Sequence, residues 1–320
     1  MAEDQVQAFA SQEAALALQS IPGLQVQSHV PLSDLTFIRA GGPADLLVRP
    51  QTIDALIALR QLSKREAWPL TILGRASNVL VSDQGIRGIT VLLSPSLAHI
   101  RVEGESLVCQ AGASLYRIAA RAAREGLTGF EFACGIPGSV GGAVFMNAGA
   151  FDGSLSDCVV RTAYLDSQGQ WAEITGSQHD FAYRHSFFSQ NPDTIILETE
   201  LSLTRAPAQA IYDKMADLAH RRYSVQPLDA HSAGSAFRRP PGHYAGKLIS
   251  DAGMKGYVRG RAGVSAKHAG FIINLGGATA AEIARIFTDV RQAVFDQAGV
   301  LLEPEVRLLG EWEGDPFAIQ

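Results

Sequence analysis

The chain has 320 residues, of which 47% are apolar and 18% charged, and its formal charge is −5. One hydrophobic core usually serves about 100–200 residues, so two or three packed units are expected. The acidic balance excludes a chain that holds nucleic acid through its overall field, while leaving room for a local basic pocket for a small anion. Cys109, Cys134 and Cys158 are scattered, with no C-x-x-C pair, which argues against a disulfide framework and for a reducing, cytoplasmic compartment.

Residues 1–20 are acidic early and alanine-rich later, without the basic start and apolar middle of a signal peptide; they read as a short helix or a loose tail. No apolar run reaches the roughly 18 residues that a membrane span requires. Residues 36–50 begin with β-formers, break at Gly41-Gly42-Pro43 and resume as an apolar strand. Thr52 can cap a helix over 53–62, with Leu56, Ile57 and Leu59 on its apolar face. Short strands at 70–73 and 79–81 follow, and the order strand, helix, strand suggests a small α/β unit. Short β-segments from 89 to 110 lead to a helix over 115–125, capped by Ser114. Residues 132–151 are dense in glycine and small side chains, and strands alternate with turns from 159 to 203. A connector helix is expected over 210–223, a Gly/Ser/Pro-rich region over 232–276, a last helix over 280–297 and a β-like stretch over 301–309. The main boundary is placed near Arg205-Ala206-Pro207.

Certain segments suit chemistry. Gly74-Arg75-Ala76-Ser77-Asn78 joins two strands, and its backbone N–H groups could cradle a phosphate; the same residue types also make ordinary turns. Gly135-Ile136-Pro137-Gly138-Ser139-Val140-Gly141-Gly142, running on to Asn147-Ala148-Gly149-Ala150, is neither G-x-G-x-x-G after a strand nor a Walker motif. Its many small residues exceed the needs of one turn and suggest a backbone-lined ligand wall. Arg184 could anchor a carboxylate, though single surface arginines are common. Glu305 alternates with apolar residues, a pattern that usually marks the solvent face of a strand. Residues 232–240, with Ser235 and Arg238-Arg239, and the following 245–249 with Lys247, suit an anionic substrate or a solvated loop. The histidines form no metal-ligand spacing, so no metal is expected.

In their order along the chain these segments resemble the UDP-N-acetylenolpyruvoylglucosamine reductases, flavoenzymes that complete UDP-N-acetylmuramate in bacterial peptidoglycan synthesis. The matching pieces include Gly41-Gly42-Pro43-Ala44-Asp45, both glycine-rich walls and Tyr183-Arg184-His185-Ser186. Further matches are Gln226-Pro227-Leu228, Ser232-Ala233-Gly234-Ser235, Val264-Ser265-Ala266-Lys267-His268 and Leu302-Glu303-Pro304-Glu305-Val306. The short stretch between Arg184 and Gln226 resembles the family's compact form, which lacks an extra loop.

The resemblance implies an α+β fold. A two-lobed FAD-binding region of the vanillyl-alcohol-oxidase (PCMH) type would span 20–206, with lobes at 20–83 and 84–206. A smaller α+β substrate-binding domain would span 207–302, and a segment over 303–320 would return to the first lobe. It implies non-covalent FAD, held by Gly74, Arg75, Ala76, Ser77 and Asn78 and by the second wall. The members of that wall are Gly135, Ile136, Pro137, Gly138, Ser139, Gly141 and Gly142, with Asn147, Ala148 and Gly149. NADPH is the implied co-substrate. Ser235 matches the family's proton donor, and Arg184 and Glu305 match residues that stabilise an enol intermediate. Tyr183, Arg222, Gln226, Arg239, Lys247 and Lys267 are candidate substrate contacts. A monomer acting on a UDP-sugar, without nucleic acid or membrane, is expected. The sequence departs from the family pattern at Arg238-Arg239-Pro240, Arg261, Gly270 and Ala76. The chief rival reading is another FAD enzyme of the same fold, an oxidase of a small alcohol or sugar.

Overall fold

The computed structural model describes residues 11–319; the reading of residues 1–10 as part of a helix or tail lies outside the described residues. Residues Ser11–Gln19 form a helix. The first sheet runs Leu24–Pro31, Pro43–Pro50, Ile86–Leu92, Leu70–Leu73, antiparallel at the first pair and parallel thereafter. Leu24–Pro31 escaped the sequence reading because its residues alternate only weakly and are largely exposed. Residues 36–40 are not a strand: the Thr36 hydroxyl donates to Ala40 O at 2.9 Å, and such local bonds compete with a ladder. Helix Ile53–Arg65 begins where expected, with Thr52 Oγ1 accepting from Ala55 N at 3.1 Å. It buries Ala55, Leu56 and Leu59.

The second sheet is antiparallel throughout and runs Trp171–Thr175, Val159–Leu165, Ile195–Ser202, Ser106–Gln110, Ile100–Glu103. Helix Leu115–Arg124, capped by Ser114, lays Leu115, Ile118, Ala119 and Ala122 into a core shared with Leu46, Leu56 and other residues of the first sheet. The glycine-rich stretch holds a short helix, Val140–Phe145, which the sequence reading did not foresee because small residues hide helical periodicity.

The connector helix, Ala208–Val225, is tied to these sheets by Lys214, whose Nζ lies 3.1 Å from the buried Glu131 carboxylate. Burial raises the Glu131 carboxyl, but bonds from Thr128, the Gly129 N–H and Lys214 outweigh it and hold the group below its ordinary range. A third, antiparallel sheet follows, ordered His231–Ser235, Phe271–Asn274, Ala262–Val264, Val258–Arg259. Helix Ala280–Ala298 covers it, begun by a Thr279 capping box and ended by Gly299 at φ 66°. Its Ile283, Ile286, Phe287 and Val290 share a core with Phe237 and Ile249, and also with Ile38, Ala40 and Leu80 from the N-terminal part.

The expected β-stretch over 301–309 is a strand only at Arg307–Leu309, which pairs in parallel with Val79–Val81. Pro304 has no N–H to offer a ladder and makes an isolated bridge with Phe237 instead.

Two residues join Gly149–Ala150 to Gly153–Ser154, and both, Phe151 (φ 51°) and Asp152 (φ 67°), sit in the left-handed region. That is the geometry of a type I′ hairpin turn, which favours glycine at its second position. Asp152→Gly is expected to stabilise the fold by about 1 kcal/mol, read as a higher urea midpoint at unchanged slope.

Candidate active site

Arg184 is the second central residue of a turn closed by mutual backbone bonds between Ala182 and His185 (3.2 and 3.1 Å), and its φ is 54°. Type II turns place glycine or asparagine there, so a bulky arginine stores strain that the surroundings must hold. Asn147 supplies part of that hold: its Nδ2 donates to Ala182 O at 3.0 Å and its Oδ1 accepts from Ser156 N at 3.0 Å. The Asn147 side chain is thus committed to protein, and its N–H donates to Val144 O at 3.2 Å. Arg184 Nε donates to Glu305 Oε1 at 2.6 Å, the two side chains being 18% and 8% exposed.

Glu305 is therefore buried, not on a solvent face. Burial raises its carboxyl above the ordinary value, against the opposing pull of Arg184 and Arg238. Its backbone N–H donates to Ala236 O at 2.9 Å, and Arg238 N donates to Glu303 O at 2.9 Å, so residues 303–305 lie beside the segment that carries Ser235. Ser235 ends the strand His231–Ser235 and is exposed to the cleft; among the described residues its hydroxyl has no hydrogen-bond partner. Three segments far apart in sequence thus bring Arg184, Ser235 and Glu305 to one cleft of about 400 Å³.

The cleft is basic. Arg184, Arg239, Lys247, Lys255 and Lys267 line it against the single carboxylate of Glu305, in a chain whose net charge is −5. Tyr183 lies under the Arg184 guanidinium at 5.0 Å and accepts from Arg239 N at 3.2 Å. Arg239 stacks on Tyr244 at 4.0 Å. Lys247 pairs with Asp251 at 2.6 Å, and Lys267 donates to Tyr223 O at 2.6 Å, so both are held rather than free.

Arg222 and Gln226 do not line this cleft. Arg222 is buried at Phe151, 5.4 Å from its ring, with Nη1 donating to Gln226 Oε1 at 3.3 Å and Nε unpartnered among the described residues. Burial lowers its pKa, the signature of a cation lacking a counter-charge.

The sequence reading missed Tyr244, Lys255 and His268 in the cleft, and Arg307, whose N–H donates to Asn78 O at 3.1 Å. Lys255 had a faint signal, a lysine between Gly253 and Gly256. Arg307 lies over Phe145 at 4.4 Å, and burial lowers its pKa. His268 Nδ1 accepts from Gly270 N at 3.0 Å, which places its proton on Nε2; burial lowers its pKa and keeps it neutral.

The two glycine-rich walls adjoin. A Cβ on Gly74 would lie 2.2 Å from Ser139 Oγ, and Asn78 Nδ2 lies 3.7 Å from Met146 Sδ. Ala76 is left-handed at φ 50°, a conformation that turns successive N–H groups toward one point. Ser139 Oγ is buried with no partner among the described residues, as expected of a donor reserved for a ligand. Asn78 further donates to Glu305 O at 3.2 Å, joining the cradle to the cleft. These features fit the pyrophosphate of FAD. Gly74→Ala must push the Ser139 hydroxyl out of the cradle; the expected result is an FAD Kd weaker by about tenfold or more, measured by flavin retention on gel filtration.

Fold and site define an FAD-dependent oxidoreductase. Residues 44–175 match the family described as FAD binding domain, and residues 226–309 match that described as UDP-N-acetylenolpyruvoylglucosamine reductase, C-terminal domain. The UDP-N-acetylenolpyruvoylglucosamine reductase of Pediococcus pentosaceus is 46% identical over 292 residues, covering 91% of this chain and 97% of that protein. The enzyme so named in Caldanaerobacter subterraneus is 46% identical over 281 residues, covering 88% and 92%. The crystal structure of UDP-N-acetylenolpyruvylglucosamine reductase from Thermus caldophilus superposes with a TM-score of 0.78 at 32% identity, covering 90% of this chain and 100% of that one. The chain belongs to the UDP-N-acetylenolpyruvoylglucosamine reductase family. No helix among the described residues is long and apolar enough to cross a membrane.

Proposed function

We propose that this protein reduces the enolpyruvyl group of UDP-N-acetylglucosamine enolpyruvate to the lactyl ether, giving UDP-N-acetylmuramate. It does so as a cytoplasmic monomer, with non-covalent FAD and with NADPH as reductant. The relatives named above support the substrate, and a basic cleft on an acidic protein suits a nucleoside diphosphate sugar. Residues up to about 206 form the flavin region, 207–302 the substrate domain, and the tail from 303 completes the site.

The observation that carries the reading is the Arg184–Glu305 pair at 2.6 Å in the cleft that exposes Ser235. The residues of the two glycine-rich walls would hold FAD, which, once reduced by NADPH, would supply the hydride that C3 of the enolpyruvyl group accepts. Negative charge then develops at C2 and on the carboxylate. Glu305 fixes Arg184 through Nε, and the two terminal guanidinium nitrogens, which have no partner among the described residues, form a fork suited to that carboxylate. The Ser235 hydroxyl gives its proton to C2 and regains one from solvent. A serine is a weak acid in water and serves here only because a fixed, positively charged site stabilises the charge it answers. Arg239, Lys255 and Lys267 neutralise the diphosphate, and Tyr183 and Tyr244 offer apolar faces beside it.

Anaerobic addition of NADPH is expected to bleach the flavin, and the enolpyruvyl ether to restore its colour. Recovery with oxygen alone would favour the rival oxidase reading.

A further inference from the structure

The core between the flavin region and the substrate domain contains Ile38, Ala40 and Leu80 packed against Phe237 and Phe287. Apolar contact is non-directional and leaves sliding cheap, yet proton transfer from Ser235 needs a fixed distance to the reacting carbon. We propose that Asn274 and Asp83 are positioning residues that hold the Ser235 strand in register with the cofactor cradle. The inference rests on the proton-donor role of Ser235 stated above.

Asn274 ends the strand Phe271–Asn274, which pairs with the Ser235 strand at His231↔Asn274 and Ser235↔Phe271. It is 4% exposed and uses its whole amide. Nδ2 donates across the domain boundary to Ile38 O (2.9 Å) and Arg39 O (3.1 Å), and Oδ1 accepts from Gly276 N (2.9 Å) and Ala278 N (3.1 Å). Two donors and two lone pairs are thus all satisfied, an arrangement that specifies one geometry. Arg39 is left-handed at φ 55°, and the neighbouring Phe37 N donates to Ala76 O in the phosphate turn at 3.2 Å. One chain of bonds therefore runs from the cofactor turn, through the 37–39 backbone and Asn274, to the strand that ends in Ser235.

Asp83 makes the second tie. Its carboxylate accepts from Ala280 N (2.7 Å) and Ala281 N (2.9 Å), taking the first two free N–H groups of helix Ala280–Ala298. Thr279 takes the third through Glu282 N. A carboxylate from the flavin region thus completes the N-terminus of a helix in the substrate domain, where the helix dipole favours it.

Asn274→Asp keeps the shape and removes both donors. In anaerobic stopped flow of the holoenzyme, it is expected to slow flavin reoxidation by the enolpyruvyl ether about tenfold or more, with reduction by NADPH within about threefold. In a Ser235→Ala background the same change is expected to cost less than about twofold further, since its effect runs through the lost hydroxyl. Equal slowing in both backgrounds, or equal loss in both half-reactions, overturns the inference. If Asn274→Asp does not fold, Asp83→Ala carries the same cycle. Failure of both to fold would make the ties purely structural and also overturn it. A wild-type protein whose bleached flavin ignores the enolpyruvyl ether would instead refute the functional reading.

Discussion

Ser235→Ala is expected to leave flavin reduction by NADPH within about threefold of wild type while slowing reoxidation by the enolpyruvyl ether about a thousandfold, the range that a positioned proton donor supplies. The asymmetry follows from the site. Reduction needs the cradle at Gly74 and Ser139 and the basic walls, none of which the substitution touches, because Ser235 makes no side-chain bond among the described residues. Reoxidation needs a proton at C2, which the substitution removes from the strand end facing the cleft, while Lys247 and Lys267 are already engaged with Asp251 and Tyr223 O. Rapid-reaction traces of the two half-reactions, in the presence and absence of substrate, check it. Equal loss in both would show that Ser235 shapes the cleft rather than feeding it a proton.

The helices were legible where caps and periodicity agreed. Thr52 and Ser114 both accept from the N–H three residues on, as their helices require. The connector runs Ala208–Val225 and the last helix Ala280–Ala298, close to the spans that apolar spacing indicates. What stayed illegible shares one cause: long-range partners override local signals. Leu24–Pro31 is a strand because Pro43–Pro50 pairs with it, not because of its own pattern. Glu305 looks solvent-facing by alternation, but the bridge to Phe237 and the Arg184 bond turn it inward.

The same holds at the site. Motif order assembled Arg184, Ser235 and Glu305 in one list, yet the left-handed turn that aims Arg184, and Asn147 that holds it, are visible only in the folded chain. The Gly270 departure has a local meaning as well. A Cβ there would lie 2.9 Å from the His268 ring, so glycine permits the histidine to fold back onto its own backbone. The Ala76 departure places an L-residue at φ 50° in the phosphate turn, where glycine would adopt the conformation without strain.

Glu305→Gln is expected to retain FAD and substrate while lowering kcat by about a hundredfold or more, because the amide holds Arg184 less firmly and supplies no charge against it. Stability is expected to move the other way with pH. Burial raises the Glu305 carboxyl above its ordinary value of 4.5. Below that value the group is protonated in folded and unfolded chains alike, and the stability linked to the raised pKa is fully present. As the pH climbs from 4.5 through the raised folded value, the unfolded chain sheds its proton first, and the native state loses that stability. Glutamine has no such titration. The thermal midpoint of Glu305→Gln relative to wild type should therefore rise across that window and then level off, each unit of pKa shift contributing about 1.4 kcal/mol. A difference flat with pH would mean that Arg184 fully offsets the desolvation of Glu305. A protein purified without flavin would mean that the Glu305 carboxylate is needed to keep the cradle in shape, and the loss of kcat would then say nothing of charge in catalysis. Both measurements together separate a carboxylate kept at a cost to stability for chemistry from one kept only to anchor an arginine.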